Sequence, residues 1–253
     1  MFDLLVPLII ALPLFGFLFT AVVGRRLGKR AHLVPVWAVG IAWAIGMVVV
    51  ATALTGGFGE EGFRQTLYTW IPSGSFEVTA GFVVDNLTAC LLIVVLTIGL
   101  LVHIYSIGYM GHDPGYWRFF AYLNLFMVSM LLLVLADSFL VVFVAWELVG
   151  LSSYLLIGFW KHKPSAALAA KKAFLVNRVG DVGFALGIMA IFTNTGTLDI
   201  RASIESRMLS VPVSTKMAMI PSAKPTSPTR FVMNAFLLAS AALRLRYQKP
   251  ISR

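Results

Sequence analysis

The 253 residues are 59% hydrophobic and 12% charged, with a mean hydropathy of +0.88, whereas soluble domains carry about 25% charged residues. That balance excludes a soluble globular enzyme and predicts a chain crossing a bilayer several times, because ~20 apolar residues suffice for one helical span. The net charge of +9 is unevenly spread: residues 1–200 hold 11 Lys and Arg against 10 Asp and Glu, and residues 201–253 hold nine against one. The excess therefore belongs to the tail and gives no sign of a nucleic-acid surface.

In chain order, apolar runs predict spans over residues 4–23, 34–54, 87–107, 117–135, 139–160 and 173–192, each of 19 to 22 residues. At 1.5 Å per residue, each covers ~30 Å of hydrocarbon. The first run follows Met-Phe-Asp, with no leading positive charge, and is too long for a signal-peptide core; it reads as a retained helix. Loop charge then sets an orientation. The first loop carries Arg25, Arg26, Lys29 and Arg30, the third Arg118, and the fifth Lys161, Lys163, Lys171 and Lys172. The second has Arg64 among Glu60, Glu61 and Glu77, and the fourth has only Asp137. The positive-inside rule puts loops 1, 3 and 5 in the cytoplasm and the N-terminus outside.

Between the second and third spans, residues 66–71 and 76–84 are rich in β-branched and aromatic side chains, and Pro72-Ser73-Gly74-Ser75 between them reads as a turn. A short external hairpin is predicted. Cys90, the single cysteine, reads as buried filler, and His32, His103, His112 and His162 are too scattered for a metal cluster. Trp117 and Trp160 fall at span ends, where aromatic belts form.

Ionisable residues at bilayer depth are the chemically informative ones. Such a charge costs ~2.5–3.5 kcal/mol on insertion scales, so it faces protein or water and often marks an ion pathway. Glu147 lies ~4 Å along the axis from the centre of its span and has no basic residue within one turn of its own helix. It reads as an isolated carboxyl that titrates near neutrality, suited to take up and release protons. Arg178 and Asp181 sit at i and i+3 near the middle of the sixth span, on one helical face. They form either a self-neutralising structural pair or part of the same path, since antiparallel spans joined by a short loop bring all three groups together near the midplane. Lys171 and Lys172 either snorkel to the interface or pass protons inward. Gly180, Gly183 and Gly187 give this span a small-residue face for close helix packing.

Four segments carry a family resemblance: HIYSIGYM (103–110), YWRFFAYLNLF (116–126), LADSFLVVFVAWELVGLSSYLLIGFW (135–160) and KKAFLVNRVGDVGF (171–184). They resemble the N-terminal part of the subunit L family of bacterial NADH-quinone oxidoreductase (respiratory complex I; subunit 5 in mitochondria), within an antiporter-like superfamily that includes multisubunit cation/proton antiporters. The resemblance covers residues 1 to about 200. It implies a membrane subunit that translocates protons, driven by redox chemistry on other subunits. No flavin, iron-sulfur cluster, quinone or other cofactor is expected on this chain. It makes Glu147 of the WELVG segment a central proton-channel residue, and implicates Arg178 and Asp181 of RVGD in the proton path. The implied partners are other membrane subunits of complex I and the lipid bilayer, in a bacterial inner membrane, with protons as the only small substrate and no nucleic acid.

The family continues well past this length, with a seventh helix whose lysine partners the fifth-helix glutamate. After Ile200 the present chain turns basic, holds five of its eleven prolines, and has no apolar run longer than residues 231–243. The sequence therefore predicts an all-α membrane fold over residues 1–200, six transmembrane helices with a short external hairpin loop, followed by an atypical, disordered basic tail over 201–253. The corresponding function is that of a proton-translocating subunit of NADH-quinone oxidoreductase, here as a truncated fragment inactive alone. The competing readings are a subunit of a multisubunit Na⁺/H⁺ antiporter and a non-functional structural membrane fragment.

Overall fold

The structure, a computed structural model, describes residues 1–59, 62–73 and 76–210. Its element order is α1 (Phe2–Leu27), α2 (Leu33–Leu54), β1 (Phe63–Ser73), β2 (Phe76–Val84), α3 (Asn86–Tyr109), α4 (Tyr116–Leu135), α5 (Phe139–Ile157), α6 (Pro164–Thr195) and α7 (Ile200–Ser210), with a single 3-10 turn over Gly28–Arg30 between α1 and α2. The first six helices are each long and apolar enough to cross a membrane, which makes the chain a multi-pass membrane protein. Every predicted span lies at least largely within one of these helices. The hairpin forms as an antiparallel pair from Phe63↔Val84 to Ser73↔Phe76, and the tip of its predicted turn lies outside the described residues.

Local chemistry sets the helix ends. Asp85 caps α3, its carboxylate accepting from Thr88 N–H at 2.7 Å, and Ser138 caps α5, its hydroxyl accepting from Val141 N–H at 3.5 Å; both supply an oxygen to a first-turn donor that has no intrahelical partner. Helix α6 starts nine residues before its predicted span. Pro164 suits the first helical position, and the Ala-rich stretch after it favours helix. The resulting 32 residues extend ~48 Å, more than the hydrocarbon needs. Gly196 ends α6 at φ 71°, a left-handed conformation that glycine adopts without Cβ strain.

Helix α1 packs between α2 and α4, α3 against α2 and α4, and α5 joins α4 to α6. The main core draws Val6 and Ile9 from α1, Val39 and Val49 from α2, Leu92 and Leu96 from α3, and Leu131 and Leu135 from α4. A Cβ on Gly16 would stand 2.8 Å from Asn124 Oδ1 and 3.3 Å from Ala38 Cβ, so this glycine sets how closely α1 approaches its neighbours. Helix α6 lies on the flank, with only Ala170, Asp181 and Ile188 buried.

The loops separate into two ends. At one, Trp160 donates to Asp113 at 2.8 Å, Arg118 lies over the Phe159 ring at 5.0 Å, and His32 meets the Tyr116 ring edge-on at 5.8 Å; this is the end of the basic odd loops. At the other, the hairpin meets the α4–α5 turn through the Phe82↔Ala136 bridge.

Three local readings change. Cys90, expected as buried filler, is exposed on α3. Gly180, Gly183 and Gly187 meet no atom within 4 Å of an added Cβ, so among the described residues no helix packs on that face. The composition break at residue 200 coincides with the start of α7, whose Ser203 is 4% exposed and hydrogen-bonds Thr197 O at 3.1 Å. The rest of the segment read as a disordered tail, residues 211–253, lies outside the described residues.

Candidate functional site

Helices α5 and α6 run antiparallel around residues 158–163, and this fixes which side chains face one another. Tyr154 meets Phe174 at 5.5 Å between ring centroids, Trp146 meets Phe184 at 5.5 Å, and Phe143 meets Phe184 at 6.0 Å. These contacts form the rungs of one seam. On the same seam Glu147 faces Arg178.

Arg178 bridges two carboxylates. Its Nη1 pairs with Glu147 Oε2, and its Nη2 lies 2.8 Å from Asp181 Oδ2. The guanidinium also stacks over the Phe174 ring, 5.0 Å from the centroid. Asp181 Oδ1 accepts a hydrogen bond from Trp146 Nε1–H at 2.9 Å, while Oδ2 receives no aligned hydrogen bond and is held by charge alone. The side chains differ in exposure: 6% for Asp181, 28% for Glu147 and 36% for Arg178. The open side is a cavity of about 310 Å³ lined by Phe143, Leu148, Leu151, Phe174, Glu147 and Arg178.

The expectation of an isolated Glu147 is corrected here. Its cationic partner comes from the neighbouring helix, because the short connection aligns residue 147 with residue 178. The cluster holds two carboxylates and one guanidinium, a formal charge of about −1 with all three ionised. One proton neutralises it, and a second would leave it positive in a medium that penalises either charge. The arrangement therefore suits exchange of a single proton. Lys171 and Lys172 stand apart, exposed near the start of α6; Lys171 is seven residues from Arg178, ~10 Å along the axis.

A second polar cluster, which the sequence did not reveal, ties the hairpin to the helix ends. Arg64 on β1 pairs with Asp199 after α6 and lies 3.9 Å from Asp137 Oδ2. Gly81 N–H donates to Asp137 Oδ1 at 3.0 Å. Phe139 N–H donates to Leu198 O at 2.9 Å, and Ile200 N–H to Asp137 O at 3.2 Å. A Cβ on Gly81 would collide with Gln65 O and stand 2.5 Å from Asp137 Oδ2, so only glycine lets the strand pass this carboxylate.

Burial pushes the Asp137 carboxyl above its usual range, against the opposing pull of the Gly81 N–H and Arg64. A carboxyl raised on folding contributes stability that is present below its unfolded pKa and lost as pH rises through the folded one. Asp137→Asn keeps an amide oxygen for Gly81 N–H and removes the titration. Hydrogen-exchange protection at Gly81 is expected to fall with rising pH in the parent and to stay level in the variant; parallel profiles would show that Asp137 does not govern the hairpin.

The third buried group is histidine. His103 is 1% exposed, with Nδ1–H donating to Gly99 O at 2.7 Å and Nε2 accepting from Asn124 Nδ2 at 3.1 Å. Both ring nitrogens are satisfied, as expected of a structural histidine. Among the described residues no group of three or more His, Cys, Asp or Glu side chains could hold a metal ion.

Two family descriptions match this chain. Residues 70–120 match "NADH-Ubiquinone oxidoreductase (complex I), chain 5 N-terminus", and residues 136–246 match "NADH:quinone oxidoreductase/Mrp antiporter, TM". NADH-quinone oxidoreductase subunit L of Mycobacterium tuberculosis is 49% identical over 191 residues, 76% of this chain and 30% of that protein. Its counterpart in Escherichia coli strain K12 is 40% identical over 205 residues, 79% of this chain and 33% of that protein. The chain thus spans about a third of the length of these relatives. Among solved structures, a chain of the archaeal membrane-bound sulfane sulfur reductase, a respiratory membrane complex, shares the fold with a TM-score of 0.68 at 19% identity, over 81% of this chain and 40% of that one. The relatives align over about the length expected from the sequence motifs, whereas the second family match runs on to residue 246, across the composition break.

Proposed function

The chain belongs to the antiporter-like family of complex I chain 5 and Mrp membrane subunits, and from that premise we propose that it is a proton-translocating membrane subunit of an NADH-quinone oxidoreductase. The observation that carries the proposal is the Glu147–Arg178–Asp181 cluster at bilayer depth, whose charge balance suits one proton. Glu147 takes up and releases the proton. Arg178 stabilises whichever carboxylate is charged, and Asp181 provides the second negative charge that keeps Arg178 in place when Glu147 is neutral. Lys171 and Lys172, on the odd-loop side of the cluster, deliver protons toward it. Redox chemistry resides on partner subunits.

The subunit L relatives favour NADH-quinone oxidoreductase over a cation/proton antiporter, the other branch in the family description. Deleting the gene and returning it, with NADH-driven acidification of inverted membrane vesicles as readout, tests the assignment. Acidification should be lost and regained. Intact NADH-driven pumping with loss of Na⁺-dependent proton exchange would instead assign the chain to an antiporter.

The proposed setting is a bacterial inner membrane, with the N-terminus and hairpin external. Nine basic residues in and beside the odd loops against one in the even loops support that orientation. A cysteine placed at Lys29, in a chain whose Cys90 is replaced by Ser, should react with an impermeant maleimide only after the membrane is opened. Labelling from outside intact cells would invert the topology.

A further inference from the structure

Trp146 adjoins Glu147 on α5, yet it engages a different member of the cluster. Consecutive helical residues diverge by about 100°, so the two side chains straddle the α5–α6 seam: Glu147 reaches Arg178, and Trp146 reaches Asp181. One side of the indole packs against Phe184 at 5.5 Å, while 45% of the residue is exposed. The indole N–H supplies the aligned hydrogen bond to the Asp181 side chain, at 2.9 Å on Oδ1, whereas Arg178 meets Oδ2 by charge contact. An indole N–H donates only and does not titrate in water, so Trp146 cannot carry a proton. It can hold an acceptor in one place whatever the charge state of its neighbours.

We infer that Trp146 is a positioning residue of the proton site, its Nε1–H holding the Asp181 carboxylate against α5 so that Arg178 stays between two fixed carboxylates. The inference rests on the proton-translocating reading. A tryptophan at bilayer depth would otherwise be read as apolar filler or as an interfacial anchor. Its bond to the least exposed carboxylate of the cluster distinguishes it from both.

The test uses the assembled membrane complex with the full-length polypeptide. Trp146→Phe removes the donor and keeps an aromatic ring. Incorporating the benzothienyl isostere of tryptophan at position 146 removes only the N–H and keeps the ring shape, which covers the case in which Trp146→Phe fails to assemble. Both should assemble at parental levels, lower NADH-driven proton transport about tenfold, as expected for loss of a hydrogen bond to a charged acceptor, and move its pH profile, because the lost donor frees the Asp181 charge that holds Arg178 against the proton-carrying Glu147. Unchanged transport and profile in the isostere would overturn the inference, as would a lower rate with an unmoved profile, which signifies packing alone. Glu147→Gln in the same complex separates the two claims. If it abolishes transport while the isostere is silent, only the role of Trp146 falls; if it transports normally, the proton-site reading falls and this inference with it.

Discussion

Glu147→Gln in the full-length subunit is expected to reduce NADH-driven proton transport by about a hundredfold, the scale on which positioned proton-transfer groups act, while leaving assembly close to parental. The amide has nearly the shape of the acid and can still place its oxygen toward Arg178, so the α5–α6 seam keeps its packing. Its charge, however, can no longer change. With Gln at position 147, Arg178 is balanced by Asp181 alone, the cluster is neutral with nothing bound, and uptake of a further proton would leave a net positive charge at bilayer depth. Membrane vesicles from the variant should contain normal amounts of complex and oxidise NADH with little acidification. Normal acidification would reduce Glu147 to a packing residue that happens to face an arginine.

The six spans were legible in the sequence because hydrocarbon thickness imposes a length and composition that a single sequence displays directly. The hairpin was legible for a similar reason: its β-branched and aromatic runs flank turn residues. The long N-terminal extension of α6 was not, since residues 164–172 are Ala- and Lys-rich and satisfy helix propensity without being apolar enough to read as membrane. At the site, the meeting of residues 147, 178 and 181 followed from antiparallel spans and a short connection. The cation beside Glu147 was hidden because Arg178 stands 31 residues away on the facing helix, outside the spacing of any single-helix pair.

Non-local contacts were the least visible. Arg64 and Asp199 are 135 residues apart in the chain, and nothing in either segment advertises the other. The available signal was Asp137, an acidic residue confined to a three-residue connection between spans, where a carboxyl meets whatever covers the turn. Trp146 carried a signal too: an indole N–H well inside a span is costly without an acceptor, and an aspartate on the facing helix supplies one.

Arg178→Gln is expected to do more structural harm than any carboxylate change in the cluster. It leaves Glu147 and Asp181 as two negative charges across one seam with no cation between them. Breaking a buried pair by removing one partner costs about 3–5 kcal/mol; the low end applies, because 36% of the Arg178 side chain is open. Thermal unfolding in detergent should show a marked loss of stability in Arg178→Gln and a smaller one in Glu147→Gln. The double variant should recover part of the loss, since the repulsion disappears with the second charge, giving a coupling of about 1–3 kcal/mol. Transport should not recover, because the proton carrier is gone. Arg178→Lys should fold but transport several-fold more slowly, as an ammonium replaces the planar fork that reaches both carboxylates at once. Additive losses in the double variant would mean that Arg178 and Glu147 do not interact in the folded chain, and the charge arithmetic behind the proton site would lose its foundation.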